Sequence, residues 1–265
     1  MRKRLLFAVL AVLAAGCSDL RDSSSGVAPV PSQVIDLTAT ITTDQPVRTW
    51  GSKMLKDYGF RETNGFEFII TREPLYVSNA YWTLFNHTGA HLDAPNHMIE
   101  GAQTIDEMPL RQLIGRGRAM DFRHKDPNEA ITVDEIKRMN IHPGEIVLLV
   151  VGYKPPTGKD ELPAYAALSI EAANYLAELP VQAIGTDGFS VESVAHMYDA
   201  IERGIQGNEG ITPNHNAFFM RNIPVYEALN NLDSLLGLGA FVFVGFPLKV
   251  VGSDGSPVRA AALVY

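Results

Sequence analysis

The chain predicts a single α/β domain of mixed strand order, and three observations carry that expectation. Short apolar or β-branched runs bounded by turn formers gather towards both ends of the sequence. Helices with clear start signals lie between them. Their irregular spacing breaks the strand–helix–strand rhythm that a doubly wound parallel sheet requires.

Residues 1–17 read as an address rather than part of the fold. Arg2, Lys3 and Arg4 form a positive start, and Leu5 to Ala15 is an apolar run too short to span a bilayer comfortably. The run ends in Leu13-Ala-Ala-Gly16-Cys17, which looks like a bacterial lipoprotein cleavage box. Cys17 is the only cysteine, so the expectation is lipidation of Cys17 and no disulfide within the mature chain. A lipid anchor would then hold the protein to the bacterial cell envelope, on the periplasmic side or the cell surface, without spanning the membrane. Residues 18–33 are rich in Ser, Gly, Pro and Asp, the composition of a flexible tether. Residues 34–265 remain for the domain, enough for one substantial core. Removal of the leader would take the net charge from -8 to -11, since it carries three cations and no anions. With no basic patch interleaved with aromatics, nucleic-acid binding is excluded as an expectation.

Within the domain, Val34 to Ile41, Phe66 to Thr71, Ile146 to Val151, Val181 to Gly185 and Phe241 to Phe246 read as strands. Thr132 followed by Glu135 is a capping box, and His142-Pro143-Gly144 lies past that helix's end. Ser169 caps a second helix over Ile170 to Leu179, with Ile170, Ala173, Leu176 and Leu179 on one face and Pro180 as its stop. A third begins after Ser190 and includes Val194 to Ile201. There is no internal repeat.

The stretch His87-Thr-Gly-Ala-His91-Leu-Asp93-Ala-Pro-Asn-His97 carries the chemistry. It holds three of the seven histidines and a carboxylate within eleven residues. Neutral imidazole and carboxylate are the ligands of a catalytic divalent ion. In an extended segment the two-residue period puts His91 and Asp93 on one face and Leu92 on the other. Gly89 lets the backbone bend so that His87 reaches the same point, and Pro95 stiffens the exit before His97. The competing explanation is a loop of hydrogen-bonded structural histidines.

This segment resembles the H-x-G-T-H-x-D-x-P-x-H signature of the metal-dependent cyclase-like hydrolases, the family of bacterial kynurenine formamidases and isatin hydrolases. Val34-Ile-Asp-Leu-Thr38 followed by Pro46-Val-Arg-Thr-Trp50-Gly51 is similar to the family's N-terminal strand and Pro-Val-Trp-Pro-Gly turn. The segment from His215 to Glu227 is similar to its second metal-binding stretch, and Leu248 to Ala260 resembles its C-terminal strand pair. The resemblance runs from about residue 34 to the end. Two departures stand out: Ala90 where the family usually has Thr, which removes a hydroxyl behind the ligands, and Arg48-Thr49 inserted before Trp50.

The resemblance implies a mixed β-sheet with helices packed outside, the family's swivelling β/α/β fold. It implies that His87, His91 and Asp93 hold one divalent ion, zinc or manganese. His215 and Glu227 would complete the site, with Asp93 and Glu227 able to bridge to a second ion. Such an ion lowers the pKa of its water to about 7, which supplies hydroxide to attack an amide carbonyl. His97 would shuttle the proton from that water to the departing nitrogen. Trp50 would contact the substrate, a small aromatic or cyclic amide, and the chain would form a homo-oligomer, a dimer in the family. The alternative is a periplasmic metal- or ligand-binding protein that keeps the site without turnover.

Other residues carry less. Ile223, Val225 and Leu229 surround Glu227 with apolar neighbours, where a buried carboxylate calls for a cation. Thr186 to Ser190 follows a predicted strand and serves either function or the capping of the next helix. His124 and His142 lie in polar loops, and His196 falls inside a predicted helix where packing or capping explains it. Tyr81, Trp82 and Phe85 suit an aromatic pocket or core packing equally. Gly237-Leu-Gly239 lacks phosphate-loop spacing.

Overall fold

A computed structural model describes residues 29–42, 64–155 and 161–265. In chain order its strands are β1 (Gln33–Asp36), β2 (Gly65–Thr71), β3 (Val77–Thr83), β4 (His91–Asp93), β5 (Ile114–Asp121), β6 (Ala130–Ile131) and β7 (Ile146–Val150). They continue with β8 (Ala167–Leu168), β9 (Ala183–Thr186), β10 (Val225–Glu227), β11 (Phe241–Val244), β12 (Gly255–Pro257) and β13 (Ala261–Val264). The helices are α1 (Val133–Arg138), α2 (Ile170–Glu178), α3 (Val194–Glu202), α4 (Asn208–Ile211) and α5 (Pro213–Phe219). Among the described residues, nine strands form one sheet in the order β1-β13-β11-β5-β7-β9-β10-β4-β12. Its middle, β5-β7-β9-β10, is parallel, and both flanks are antiparallel. The expected mixed α/β architecture is the observed one.

The strand period sorts side chains between two cores. Val147 and Leu149 of β7 belong to one apolar cluster, and Ile146, Leu148 and Val150 to the other. On the first face the cover is helical, from Ile136 of α1, Ala173 and Leu176 of α2 and Phe218 and Phe219 of α5. On the second it comes from Leu37 and Leu113 in loops and from Leu232 and Leu235 of a short 3-10 turn. A strand buried on both faces reads as a continuous apolar run, which is why β7 is plain in the sequence.

Thr132 Oγ1 accepts from Glu135 N at 3.4 Å and Glu135 Oε2 accepts from Thr132 N at 2.8 Å, the capping box expected for α1. Ser169 accepts from Ala172 N and caps α2. The buried face of α2 is rotated from the expected stripe. Ala172, Ala173, Leu176 and Ala177 are buried, whereas Ile170 in the first turn is 42% exposed. The expected functional-or-capping loop splits its roles: α3 is capped by Ser193, leaving Ser190 to another partner.

Strands β2 and β3 stand apart. Among the described residues they pair only with each other, Gly65 opposite Thr83 through to Thr71 opposite Val77. Tyr81 and Trp82 are 69% and 68% exposed, so neither packs in a core as one expectation had it. Asn64 pins the base of this hairpin, its Oδ1 accepting from Phe85 N at 3.3 Å and Thr88 Oγ1 at 3.2 Å.

Candidate metal centre

Three neighbouring strands place the ligands. β4 lies between β10 and β12 and is antiparallel to both, with His91 opposite Glu227 and Pro257, and Asp93 opposite Val225 and Gly255. Leu92 and Tyr226 enter the apolar cluster on one face. His91, Asp93 and Glu227 therefore face the other side together, as the two-residue period requires. Gly89 adopts φ +63°, the bend that brings His87 back to this point. His87's imidazole lies so close to the backbone that a Cβ on Gly255 would sit 2.5 Å from its Cε1, so only glycine fits there. His215 arrives from the far side on α5, whose first residue is Pro213.

All five expected ligands come together. His87, His91 and Asp93 form one group with donor atoms within 4.8 Å of one another, and Asp93, His215 and Glu227 form a second. Asp93 belongs to both. His97 belongs to a third group with His87 and Asp254, and its ring centroid lies 4.2 Å from that of His87.

The donor set fits a divalent cation. Glu192 Oε1 accepts from His215 N at 2.7 Å and lies 3.1 Å from His215 Nδ1, so Nδ1 carries a proton. His215 Nε2 is then turned towards Glu227 Oε1 at 3.1 Å and Asp93 Oδ2 at 3.7 Å. That nitrogen is buried and makes no hydrogen bond to either. His91 repeats the pattern: Nδ1 is 2.8 Å from Gly89 O, and Nε2 is left 3.3 Å from Asp93 Oδ1 and 3.8 Å from Glu227 Oε2. Like charges 4 Å apart repel by ~4 kcal/mol at an intermediate effective dielectric, and a cation between them reverses the sign. Imidazole nitrogens and carboxylate oxygens are the ligands that divalent transition ions take.

The ionisation equilibria point the same way. Burial lowers the basicity of His87, yet the Asp93 charge and hydrogen bonds with Asp254 and Asp93 carry it up to about 10. Burial also opposes charge on His215, and Glu227 with Asp93 and Glu192 raises it all the same. Asp93 stays well below the usual carboxylate range, since His91 and His87 outweigh its burial. The carboxylates call for positive charge at these nitrogens, and protons and a metal ion compete to supply it.

Glu192 and Asp254 were not visible in the sequence, whereas Ser190 and Asp187 belong to the loop from Thr186 to Ser190 left open between function and capping. Ser190 Oγ and Val191 N both donate to Glu227 Oε1 at 2.8 Å, orienting that carboxylate. Glu192, 1% exposed, orients His215, and Asp254 contacts His87 and His97. The only signal for Asp254 is its Gly-Ser-Asp-Gly-Ser context, which reads first as a turn. Asp187 accepts from Val151 N at 2.7 Å and Gly152 N at 2.9 Å, and burial raises it to about 6. Ala90 lies in the apolar cluster facing away from the ligands, so the family's missing hydroxyl is not replaced from that side. His124 and His142 are exposed beside Glu135 and Glu145, and His196 Nε2 lies 3.1 Å from Gly210 O, all apart from the metal groups. Phe85 and Phe219 border the centre, their rings 5.4 Å from His87 and 5.3 Å from His215. Trp50 and Cys17 lie outside the described residues. No helix among the described residues is long and apolar enough to cross a membrane.

A mixed sheet presenting histidine and carboxylate ligands on adjacent strands, completed by a histidine from a helix, is the frame of a metal-dependent hydrolase. The model of the Cyclase family ("Putative cyclase") matches residues 35–193. The chain belongs to that family. A kynurenine formamidase of Delftia acidovorans is 31% identical over 179 residues, covering 67% of this chain and 76% of its own. An isatin hydrolase of Roseibium aggregatum is 26% identical over 257 residues, covering 88% of this chain and 92% of its own. Among solved structures, a "potential metal-dependent hydrolase with cyclase activity" aligns with a TM-score of 0.62 at 26% identity, covering 88% of this chain and 98% of that one.

Proposed function

We propose that this enzyme hydrolyses a carbon–nitrogen bond in a small aromatic or cyclic amide, such as a formamide of the N-formylkynurenine type or a lactam of the isatin type. His87, His91 and Asp93 would hold one zinc or manganese ion, and His215 and Glu227 a second through shared Asp93. When bound, a divalent ion activates water as a nucleophile near neutral pH and polarises a carbonyl. His97 takes the proton from that water and returns it to the leaving nitrogen, which without it leaves poorly. Water adds across the bond, giving a carboxylate and an amine. Phe85 and Phe219 offer apolar edges to an aromatic substrate, and Trp50 is assigned the same role.

One observation carries this reading over that of a binding protein without turnover. His97 sits outside the two groups built around Asp93, with its Nδ1 2.8 Å from Asp254 Oδ2. A protein that only stores metal has no use for a proton shuttle there. The test is turnover of an amide and lactam panel by the metal-loaded protein, with His97→Asn alongside. The variant is expected to keep its metal and lose on the order of a hundredfold or more in kcat. Metal retention with no turnover by the parent protein on any member would favour the binding protein.

Two further assignments belong to this proposal. The chain pairs with a second copy through the β2–β3 hairpin, where Phe68, Tyr76, Tyr81 and Trp82 are each 64–69% exposed. By the two-residue period Phe68, Ile70 and Trp82 share one face and Ile69 and Tyr81 the other, so a second copy that covers the hairpin has to meet both faces. Cys17 anchors the protein to the cell envelope by lipid chains. Mass spectrometry of the native N-terminus checks this, and an unmodified thiol at Cys17 would make the protein an ordinary exported enzyme.

A further inference from the structure

We infer that Asp254 is a positioning residue that fixes the proton on two histidines at once, so that one carboxylate couples the metal ligand His87 to the shuttle His97. The inference rests on His97 being the shuttle. Its basis is geometric. Asp254 Oδ2 lies 3.1 Å from His87 Nε2 and 2.8 Å from His97 Nδ1. A carboxylate only accepts hydrogen bonds, so both of those nitrogens carry their protons there. His87 Nδ1, 2.6 Å from Asp93 Oδ1, holds a proton by the same rule, and that proton, on the side of His91 and Asp93, is the one an ion would displace. His97 is left with Nε2 as the nitrogen able to take a proton. A hydrogen bond behind a ligating histidine sets its tautomer in this way.

Asp254 is held on every side that matters for this arrangement. Its backbone oxygen accepts from Ala94 N at 2.9 Å, and the preceding Ser253 oxygen accepts from Ile105 N at 2.8 Å. The next residue, Gly255, pairs with Asp93 and leaves His87's ring pressed against the chain. Asn86 Nδ2 donates to Asp254 Oδ1 at 2.6 Å, which turns the other oxygen to the histidines. Asn86 thus gives the whole relay its polarity.

That polarity supplies the test. In Asp254→Asn the new amide group faces either the two imidazoles, which would exchange their tautomers, or the Asn86 amide, which must then turn over to accept. In the double variant Asn86→Asp with Asp254→Asn, residue 254 donates to residue 86 and its oxygen again accepts from both histidines. Both histidines again donate to residue 254, and only the bond between residues 86 and 254 runs the other way, with the charge moved one contact away.

The experiment uses the full chain loaded with zinc, ¹⁵N-labelled at histidine so that NMR reports each ring's tautomer. Chelator competition and steady-state kinetics accompany it. Asp254→Asn is expected to shift His97 away from its Nδ1–H form, weaken zinc about 10–100-fold and lower kcat about a hundredfold at saturating metal, with KM within about twofold. The double variant should recover the Nδ1–H signal and most of kcat. Wild-type tautomers in Asp254→Ala, which leaves no acceptor at residue 254, or a double variant no better than an impaired Asp254→Asn, would overturn the inference. Should Asp254→Asn fail to fold, a folded double variant with wild-type tautomers supports the coupling, and a double variant that also fails to fold overturns it. Normal turnover by His97→Asn would instead remove the shuttle, and the tautomer signals would still report whether Asp254 sets them.

Discussion

The β2–β3 hairpin ends four residues before His87, the first ligand of the metal centre, and the two are built by opposite rules. At the centre, Asp93 is 1% exposed and flanked on both sides by paired strands, and His91 and His215 are braced from behind by a carbonyl and a carboxylate. Among the described residues no third strand joins the hairpin, and Phe68 and Trp82 face solvent. An isolated two-stranded hairpin is marginal in water, so its order depends on what it meets. Rigidity is concentrated where charge must be held in register, and the apolar surface is left where a partner can reach it. The contrast teaches that burial does not follow apolarity here. Some of the most buried side chains are charged, and some of the most exposed are aromatic.

The sharpest way to break that contrast is at β4. His91→Ala and Asp93→Ala are each expected to lose the divalent ion, by elemental analysis, and activity to background, with far-UV circular dichroism unchanged. Full metal retention in both would show that the over-determined half is merely structural. A smaller effect comes from behind the ligands. Glu192→Ala should weaken metal binding about 10–100-fold in chelator competition, because His215 loses the partner that holds its Nδ1 proton. Glu192→Gln, which keeps an accepting oxygen, should lose less, and equal losses would mean that Glu192 acts by charge rather than orientation. The smallest effect belongs to the hairpin. Tyr81→Glu with Trp82→Glu should leave metal content unchanged and monomer stability within about 0.5 kcal/mol, since both side chains are exposed. Sedimentation should nevertheless move from dimer to monomer, and unchanged sedimentation would deprive the hairpin of a second copy as its partner.

What was legible in the sequence follows from the same division. β7 shows as an apolar run because both of its faces are covered, β11 is apolar throughout although only Phe241 and Phe243 are buried, and α1 and α2 show through Thr132 and Ser169 because a cap is a local event. The first ligand group was legible because eleven consecutive residues contain it. β5 was not, although it lies in the middle of the sheet. Its sequence Ile-Gly-Arg-Gly-Arg-Ala-Met-Asp resembles a loop, and the reason is packing: a Cβ on Gly117 would fall 2.0 Å from the Phe241 ring. Glycine was selected there by a neighbour more than a hundred residues away. α5 also went unread, since seven residues starting at Pro213 give too few turns for a period to show. Glu192 and Asp254 were missed for a related reason. A carboxylate beside serine or glycine looks like a cap or a turn until the fold brings a histidine to it. In the hairpin Phe66 to Thr71 was legible as a strand, but its exposure was not, because its composition is that of a buried one.

The register that puts His91 opposite Glu227, with Gly255 beside Asp93, has a consequence in time. Its three strands come from residues 91–93, 225–227 and 255–257, so the centre has no local precursor and appears only when distant parts of the chain have already met. An unfolded chain offers an ion only scattered single ligands. Once formed, the pocket would reward the folded state as a whole by mass action, and removing the ion should lower the melting temperature of the entire domain. The ion that ends up inside is therefore chosen from whatever surrounds the chain as folding finishes.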